Sequence, residues 1–189
     1  IDDNFFSDRI KSIRENEIAE LIIRNKIPIK FRISLRVDDV NNAIIKKLKA
    51  AGLFGVSLGV ESFVQRKLDF YEKKTSVFQN LKAIKILHDN NIFVQIGHIM
   101  FDPFVTKDEI EKEIFFLEQT KHAVTEGLWS TLIAARGTRI TEYIIKKLGI
   151  TGKNTLNYYY DIQNRWGDEF YKVVMAWEKN VRKLYDKII

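Results

Sequence analysis

The segment Gly55–Ser62 has the pattern of a short buried strand that ends in a carboxylate. Because strand side chains alternate between two faces, its valines and leucine share one face, whereas Ser57, Gly59 and Glu61 share the other. Such a strand suits a parallel barrel, in which helices cover the outer face and the inner face leads to a site at the strand's C-terminal end. The pattern therefore predicts that Glu61 lies in a site. A helix-capping or salt-bridged surface glutamate is the alternative.

Strand-like and helix-like segments alternate between residues 30 and 149. The predicted strands lie near 31–37, 55–61, 92–101 and 128–134. Four helices are predicted. The first has its cap at Asp38 or Asp39, and the second begins near Thr75 or Ser76. The third begins at a capping box of Thr106 and Glu109, and the fourth begins at Gly137–Thr138 and ends at Gly149. This alternation is typical of parallel strands joined by right-handed crossovers.

The predicted fold class is α/β: a partial (βα) parallel barrel of TIM-like type over residues 1–149, followed by a helical extension over 150–189 that packs on it in the same domain. The extension carries an apolar stripe at helical spacing, formed by Trp166, Phe170, Val174, Trp177, Val181 and Leu184. Four strands do not close an eight-stranded barrel. Because the chain also opens without an initiating Met or a signal peptide, we expect it to be the interior of a longer protein.

The amino-acid composition limits the classes of function that the chain can have. The chain contains no cysteine, which excludes disulfides, thiolate zinc sites, iron–sulfur ligation and a cysteine nucleophile within these residues. With only three histidines, no metal site is expected. The net charge of +6 permits an acidic partner, but the lysine pairs follow helix ends, which favours solvated caps over a nucleic-acid surface. No apolar run is long enough to span a bilayer, so we expect a cytoplasmic protein without a membrane partner.

Several short motifs occur in a recognisable order. They are Arg36-Val-Asp38, Gly55–Ser62, Lys73-Lys74-Thr75, Gly97-His-Ile-Met-Phe-Asp-Pro103 with Thr106, and Gly137-Thr138, preceded by Asp2-Asp3-Asn4-Phe5. In this order they resemble the later half of a radical S-adenosylmethionine (SAM) enzyme core, over roughly residues 1–149. The sub-group often fused to a cobalamin-binding domain is the most similar. The resemblance implies a barrel fold, and SAM and a [4Fe–4S] cluster as cofactors of the full-length protein, with cobalamin as a further candidate.

The resemblance also implies four cofactor-binding positions. Arg36 matches a polar residue near the methionyl or ribose part of the cofactor, and Glu61 matches a contact to the ribose hydroxyls. Lys73, or failing that Lys74, matches a basic partner of the cofactor carboxylate, and His98 matches a polar position facing the lumen. Each has a structural alternative: an arginine paired with the nearby aspartate, a surface glutamate, a solvated lysine, and a core histidine. No residue is assigned a catalytic role.

Two departures from the family pattern matter. The three-cysteine motif and the glycine-rich strand that precede this region in the family are absent, and Arg136 stands where proline is more usual. We therefore expect a fragment of a radical SAM enzyme, with the missing N-terminal part as its partner and the substrate unidentified. A cluster-less half-barrel binding module is one alternative. The other is a tRNA- or nucleic-acid-modifying domain, in which Tyr158–Tyr160 would stack on bases.

Overall fold

Four parallel strands form the central sheet of the computed structural model, which describes residues 4–5, 13–125, 129–150 and 156–185. The strands are β1 (Phe31–Arg36), β2 (Leu53–Glu61), β3 (Phe93–His98), β4 (Ala123–Thr125), β5 (Ala134–Ala135) and β6 (Asn157–Tyr158). The helices are α1 (Ile13–Arg24), α2 (Asn42–Ala50), α3 (Gln65–Phe70), α4 (Val77–Asp89), α5 (Lys107–Gln119), α6 (Arg139–Leu148) and α7 (Arg165–Tyr185).

The sheet has the order β1-β2-β3-β4, and every neighbouring pair in it is parallel. Helices connect each strand to the next, so successive C-terminal strand ends lie along one edge. The predicted α/β fold class, a partial barrel of the TIM-like type followed by a C-terminal helix, is confirmed. In the described part of the chain, no helix is both long and apolar enough to cross a membrane.

Local capping explains where the helices begin and end. Ser76 and Thr106 form the capping boxes of α4 and α5, the second as predicted. The α2 cap is Asn41, whose side chain accepts hydrogen bonds from the first-turn amides, so the predicted aspartate cap is wrong. Those aspartates lie instead in a 3-10 turn over Val37–Asp39. Helix α6 ends at Gly149, whose φ of +63° is the left-handed conformation that glycine adopts at helix ends.

The two faces of the sheet differ in burial and polarity. The face toward the helices is buried and has an apolar centre formed by Leu35, Val56, Leu58, Val94 and Ile96. On the opposite face, Arg32 donates to Gln95 at 2.5 Å and to Ser57 at 3.3 Å, and its guanidinium lies 5.5 Å from the Phe93 ring centroid. This inner face is polar and partly exposed.

The fourth strand is not where the sequence pattern places it. The predicted strand 128–134 is wrong, because the fourth parallel strand is β4, which pairs through Val94↔Ala123 to Ile96↔Thr125. Leu128 lies outside the described residues. The following stretch makes an isolated parallel bridge, Phe101↔Thr131, and then β5 pairs antiparallel with β6.

The C-terminal helix α7 packs against α5 and the chain that follows β3. Phe101 contacts Tyr171, with ring centroids 5.0 Å apart, and Phe170 at 6.1 Å. The stripe is not evenly buried. Trp177 remains 53% exposed, and its ring lies 6.2 Å from that of Trp129 at an interplanar angle of 48°. The Leu184 side chain lies outside the described part. The helix begins at Arg165, later than the start at residue 150 of the predicted helical extension, and the chain forms β6 before it.

Candidate functional site

A pocket of about 250 Å³ lies on the inner face of the sheet, at the C-terminal ends of β1, β2 and β3. Its lining residues come from the three strands and from the loop after α3: Ser34, Leu35, Arg36, Ser57, Leu58, Gly59, Glu61, Lys73 and Gly97. Strand ends of this kind are where parallel α/β proteins bind ligands.

An ion pair forms the upper wall of the pocket. Lys73 Nζ lies 3.0 Å from Glu61 Oε1, and the two side chains are 16% and 24% exposed. Glu61 has a φ of +64°, and the pairing of β2 with β3 shifts between Gly59 and Glu61. This bend turns the carboxylate over the strand ends. Lys74 is exposed and lies outside the pocket lining, so the geometry favours Lys73.

Two glycines form the floor beneath that ion pair. A Cβ atom at Gly59 would lie 3.1 Å from Glu61 Oε1 and 3.4 Å from Lys73 Nζ. At Gly97 it would lie 3.9 Å from Glu61 Oε2. Any side chain at these positions would fill the space under the ion pair, so the glycines keep the pocket open to a ligand.

Arg36 lies at the rim and holds the loop that carries Lys73. Its Nε lies 2.9 Å from Asp38 Oδ1, which is the alternative pairing considered from the sequence. A second guanidinium nitrogen donates to the Lys73 backbone carbonyl at 3.1 Å. Arg36 therefore contributes to the pocket wall while its charge is partly neutralised by Asp38.

His98 lies on the other side of the sheet. The expectation that it faces the lumen is wrong, because Gly97 lines the inner face and the next strand residue points the opposite way. The side chain is fully buried, and Nε2 lies 3.0 Å from Glu113 Oε2. The structure thus brings Arg36, Glu61 and Lys73 together and leaves His98 apart from them.

His98 belongs to a buried polar cluster beneath the pocket. Glu113 accepts hydrogen bonds from Ser62 Oγ, from the Phe63 amide at 2.8 Å and from Lys67 Nζ at 2.9 Å. Burial raises the pKa of Glu113, but the hydrogen bond from His98 and the charge of Lys67 outweigh it and lower the pKa to about 2. The Glu113 carboxylate is therefore ionised at neutral pH and paired with a buried ammonium.

Sequence reasoning missed Lys67 and Glu113. One signal was present: Glu113 falls three residues after Ile110 and four before Leu117, on the apolar side of α5 where a surface glutamate is not expected. Lys67 gave no such signal, because α3 spans only six residues.

The Asp102–Pro103 turn has a structural role. Asp102 is fully buried and accepts hydrogen bonds from Tyr71 Oη at 3.0 Å and from the Phe104 amide at 2.8 Å. Arg66 lies 3.2 Å from it and also pairs with Glu109 at 2.6 Å. Burial and the neighbouring Asp102 charge raise the pKa of Tyr71, so the phenol stays protonated and donates.

A second cavity, of about 270 Å³, lies between the chain around Leu132 and the tyrosine run. Tyr160 donates to the Leu132 carbonyl at 2.6 Å, and Tyr158 packs in the same apolar cluster. Only Tyr159 of the run is exposed, at 89%. Two of the three rings are therefore used in packing within the protein.

A parallel α/β sheet with a polar pocket at its C-terminal strand ends is the arrangement of barrel-type α/β proteins, whose ligand sites lie at that edge of the sheet. The family model of the radical SAM superfamily matches residues 5–117, which is more than half of the chain. The chain belongs to the radical SAM superfamily.

Relatives and solved structures agree with this assignment. Over 100 residues the chain is 35% identical to the anaerobic magnesium-protoporphyrin IX monomethyl ester cyclase of Cereibacter sphaeroides, covering 51% of this chain and 16% of the cyclase. The cobalamin-dependent SAM radical enzyme OxsB with aqua-cobalamin bound superimposes with a TM-score of 0.76 at 18% identity, over 87% of this chain and 31% of OxsB.

A second structure has the same core. The radical SAM methyltransferase TsrM from Kitasatospora setae, solved with cobalamin and a [4Fe–4S] cluster, superimposes with a TM-score of 0.53 at 16% identity, over 63% of this chain and 25% of TsrM. At such identities these likenesses show the fold. The chain spans about a sixth of the cyclase and less than a third of either structure.

Proposed function

We propose that this chain forms part of the SAM-binding pocket of a radical SAM enzyme. The observation that carries the proposal is the Glu61–Lys73 pair, 3.0 Å apart, over a floor of two glycines at the C-terminal strand ends. A carboxylate and a cation on one rim suit a zwitterionic ligand that also carries a vicinal diol. S-adenosylmethionine has both features.

The roles of the residues follow from their chemistry. Glu61 would accept hydrogen bonds from the ribose hydroxyls or the methionyl ammonium, because an ionised carboxylate only accepts. Lys73 would pair with the methionyl carboxylate, and Arg36 would hold the Lys73 loop through its hydrogen bond to the Lys73 carbonyl. When bound, SAM supplies the radical chemistry of the family.

The [4Fe–4S] cluster does not fit the residues of this chain. Such clusters are held by cysteine thiolates, and the 189 residues contain none. We derive no step through the cluster and assign its ligands, within the proposal, to a part of the protein outside these residues. The partly exposed inner face of the sheet supports such a partner, which would cover Arg32, Ser57 and Gln95. Cobalamin belongs to the proposal only for that longer protein.

The test is the affinity of the longer protein for SAM, measured by isothermal titration calorimetry. Glu61→Ala should weaken binding about 10- to 100-fold, the effect of losing one or two hydrogen bonds to a charged group. The exposed Glu118 on α5 provides the matched control, since Glu118→Ala removes the same charge away from the pocket. The 189-residue chain should bind the same ligand weakly. Unchanged affinity in Glu61→Ala would refute the proposal.

A further inference from the structure

The Glu61 carboxylate enters the pocket through a backbone bend that is unfavourable for an L-amino acid. Its φ of +64° lies in the left-handed region, which non-glycine residues rarely adopt. The bend is tight, because the Ser62 amide donates to the Val60 carbonyl at 2.8 Å. On the neighbouring strand, the Ile99 amide donates to the Glu61 carbonyl at 2.8 Å. A conformation of this kind persists only where the surroundings enforce it.

Asn80 of α4 holds the backbone on both sides of that bend. Its side-chain amide donates to the Val60 carbonyl at 3.1 Å and to the Ser62 carbonyl at 2.8 Å, and the residue is fully buried. Within the described residues, the Asn80 Oδ1 atom has no hydrogen-bond partner. Asparagine is also a weak helix former, so a buried position in α4 favours an apolar residue on stability alone. The use of asparagine here is explained by the two carbonyls that flank Glu61.

Lys67 and Glu113 hold the adjoining segments from two further helices. Lys67 Nζ donates to the carbonyls of Ile99 at 2.7 Å and Met100 at 3.0 Å, directly after the residue that pairs with Glu61. Glu113 accepts from the Phe63 amide, two residues after Glu61. Buried polar groups from α3, α4 and α5 thus bind the main chain on each side of the bend.

We propose that Asn80, supported by Lys67 and Glu113, is a positioning residue that holds Glu61 in its left-handed conformation and so directs the carboxylate into the pocket. None of the three lines the pocket. The proposal rests on the proposed function for the identity of the ligand, but the geometry that it explains can be measured without any ligand.

The test uses ¹³C- and ¹⁵N-labelled 189-residue chain and the variant Asn80→Leu, which keeps the approximate volume and removes both donors. The one-bond Cα–Hα coupling and the Cα shift at residue 61 report the sign of φ. We expect Asn80→Leu to lose the left-handed signature. In a titration with SAM followed by amide shifts, it should bind about tenfold more weakly than wild type, the effect of one misplaced hydrogen bond.

Thr120→Val is the matched control. Thr120 is buried and donates to the Phe116 carbonyl at 2.9 Å at the end of α5, so this variant also leaves a partly buried carbonyl without its side-chain donor. It should lose stability yet keep both the coupling at residue 61 and the SAM titration. Should Asn80→Leu not fold, Asn80→Asp replaces the amide by a carboxylate that repels the same two carbonyls.

The outcomes separate this proposal from the proposed function. A left-handed signature at residue 61 that persists in a folded Asn80→Leu or Asn80→Asp variant overturns the positioning role, whatever SAM does. Equal loss of the signature in Thr120→Val also overturns it, because the effect would then be general destabilisation. If wild type does not bind SAM but Asn80→Leu alone loses the signature, the positioning role stands and the proposed ligand fails.

Discussion

Replacing Glu113 by glutamine removes a buried negative charge and nearly preserves the shape of the side chain. The side chains of Glu113 and Lys67 are both fully buried, with Lys67 Nζ 2.9 Å from Glu113 Oε1. An amide at this position leaves the lysine ammonium buried without a counter-charge. Removing one partner of a buried ion pair costs about 3–5 kcal/mol. We therefore expect Glu113→Gln to lower the free energy of unfolding by that amount at neutral pH.

The pH dependence gives a second expectation. The folded pKa of Glu113, about 2, lies below its ordinary value of 4.5. A carboxylate whose folded pKa is lowered contributes stability above the unfolded pKa and loses it as the pH falls through the folded pKa. This shift corresponds to about 3 kcal/mol. The difference in unfolding free energy between wild type and Glu113→Gln should therefore narrow by that amount as the pH falls from about 6 to about 2.

The assay is urea denaturation followed by far-ultraviolet circular dichroism at a series of pH values. Glu111→Gln is the matched control on the same helix, because Glu111 is 59% exposed and pairs with Lys107 at 3.5 Å. It should change the unfolding free energy by less than about 0.5 kcal/mol. The double variant Lys67→Met/Glu113→Gln should be more stable than Glu113→Gln alone, since no unpaired charge remains. A gap between wild type and Glu113→Gln that does not change with pH would refute the ionised state of Glu113.

Two further predictions concern the chain itself. Anaerobic reconstitution of the 189-residue chain with iron and sulfide should give no protein-bound [4Fe–4S] absorbance, because no cysteine is present; a spectrum at near-unit stoichiometry would show other ligands. Gly52→Ala should cost more than about 3 kcal/mol, because φ is +111° and the new Cβ would lie 2.0 Å from the Ile29 carbonyl oxygen. Gly149→Ala, with φ +63° and open space, should cost only about 1 kcal/mol; equal losses in thermal denaturation would contradict the steric argument.

The order and type of the main elements followed from the sequence because they depend on local patterns. Alternation along β2 and the capping box at Thr106 are each encoded within a few residues. The fourth strand could not be placed this way. Strand β4 has only three residues, too few for an alternating pattern, and it is defined by its pairing with β3. The segment that follows β4 contains the polar residues Ser130 and Thr131. It nevertheless forms an isolated parallel β-bridge, between Thr131 and Phe101.

Three of the four residues singled out from the sequence line the pocket, and the error at His98 has a physical explanation. Strand alternation alone assigns Gly97 and His98 to opposite faces, and Gly97 lines the pocket. The resemblance had instead placed His98 with Glu61. The two residues are indeed register partners, but the strand pairing shifts just before them and Glu61 turns into the left-handed region. The side chains of Glu61 and His98 therefore lie on opposite faces of the sheet, although the two residues are register partners.

The same bend shows why the supporting residues were not found from the sequence. A hydropathy pattern assigns lysine, glutamate and asparagine to the surface, because an isolated buried charge is very unfavourable. These three residues are buried because each binds a partner that is distant in the sequence. Lys67 and Glu113 are 46 residues apart, and Asn80 is 20 residues from Val60, whose carbonyl it binds. The burial of these polar side chains is explained by their hydrogen bonds to the backbone carbonyls and amides around Glu61. The bend that directs Glu61 into the pocket is therefore the feature that accounts for the polar cluster beneath it.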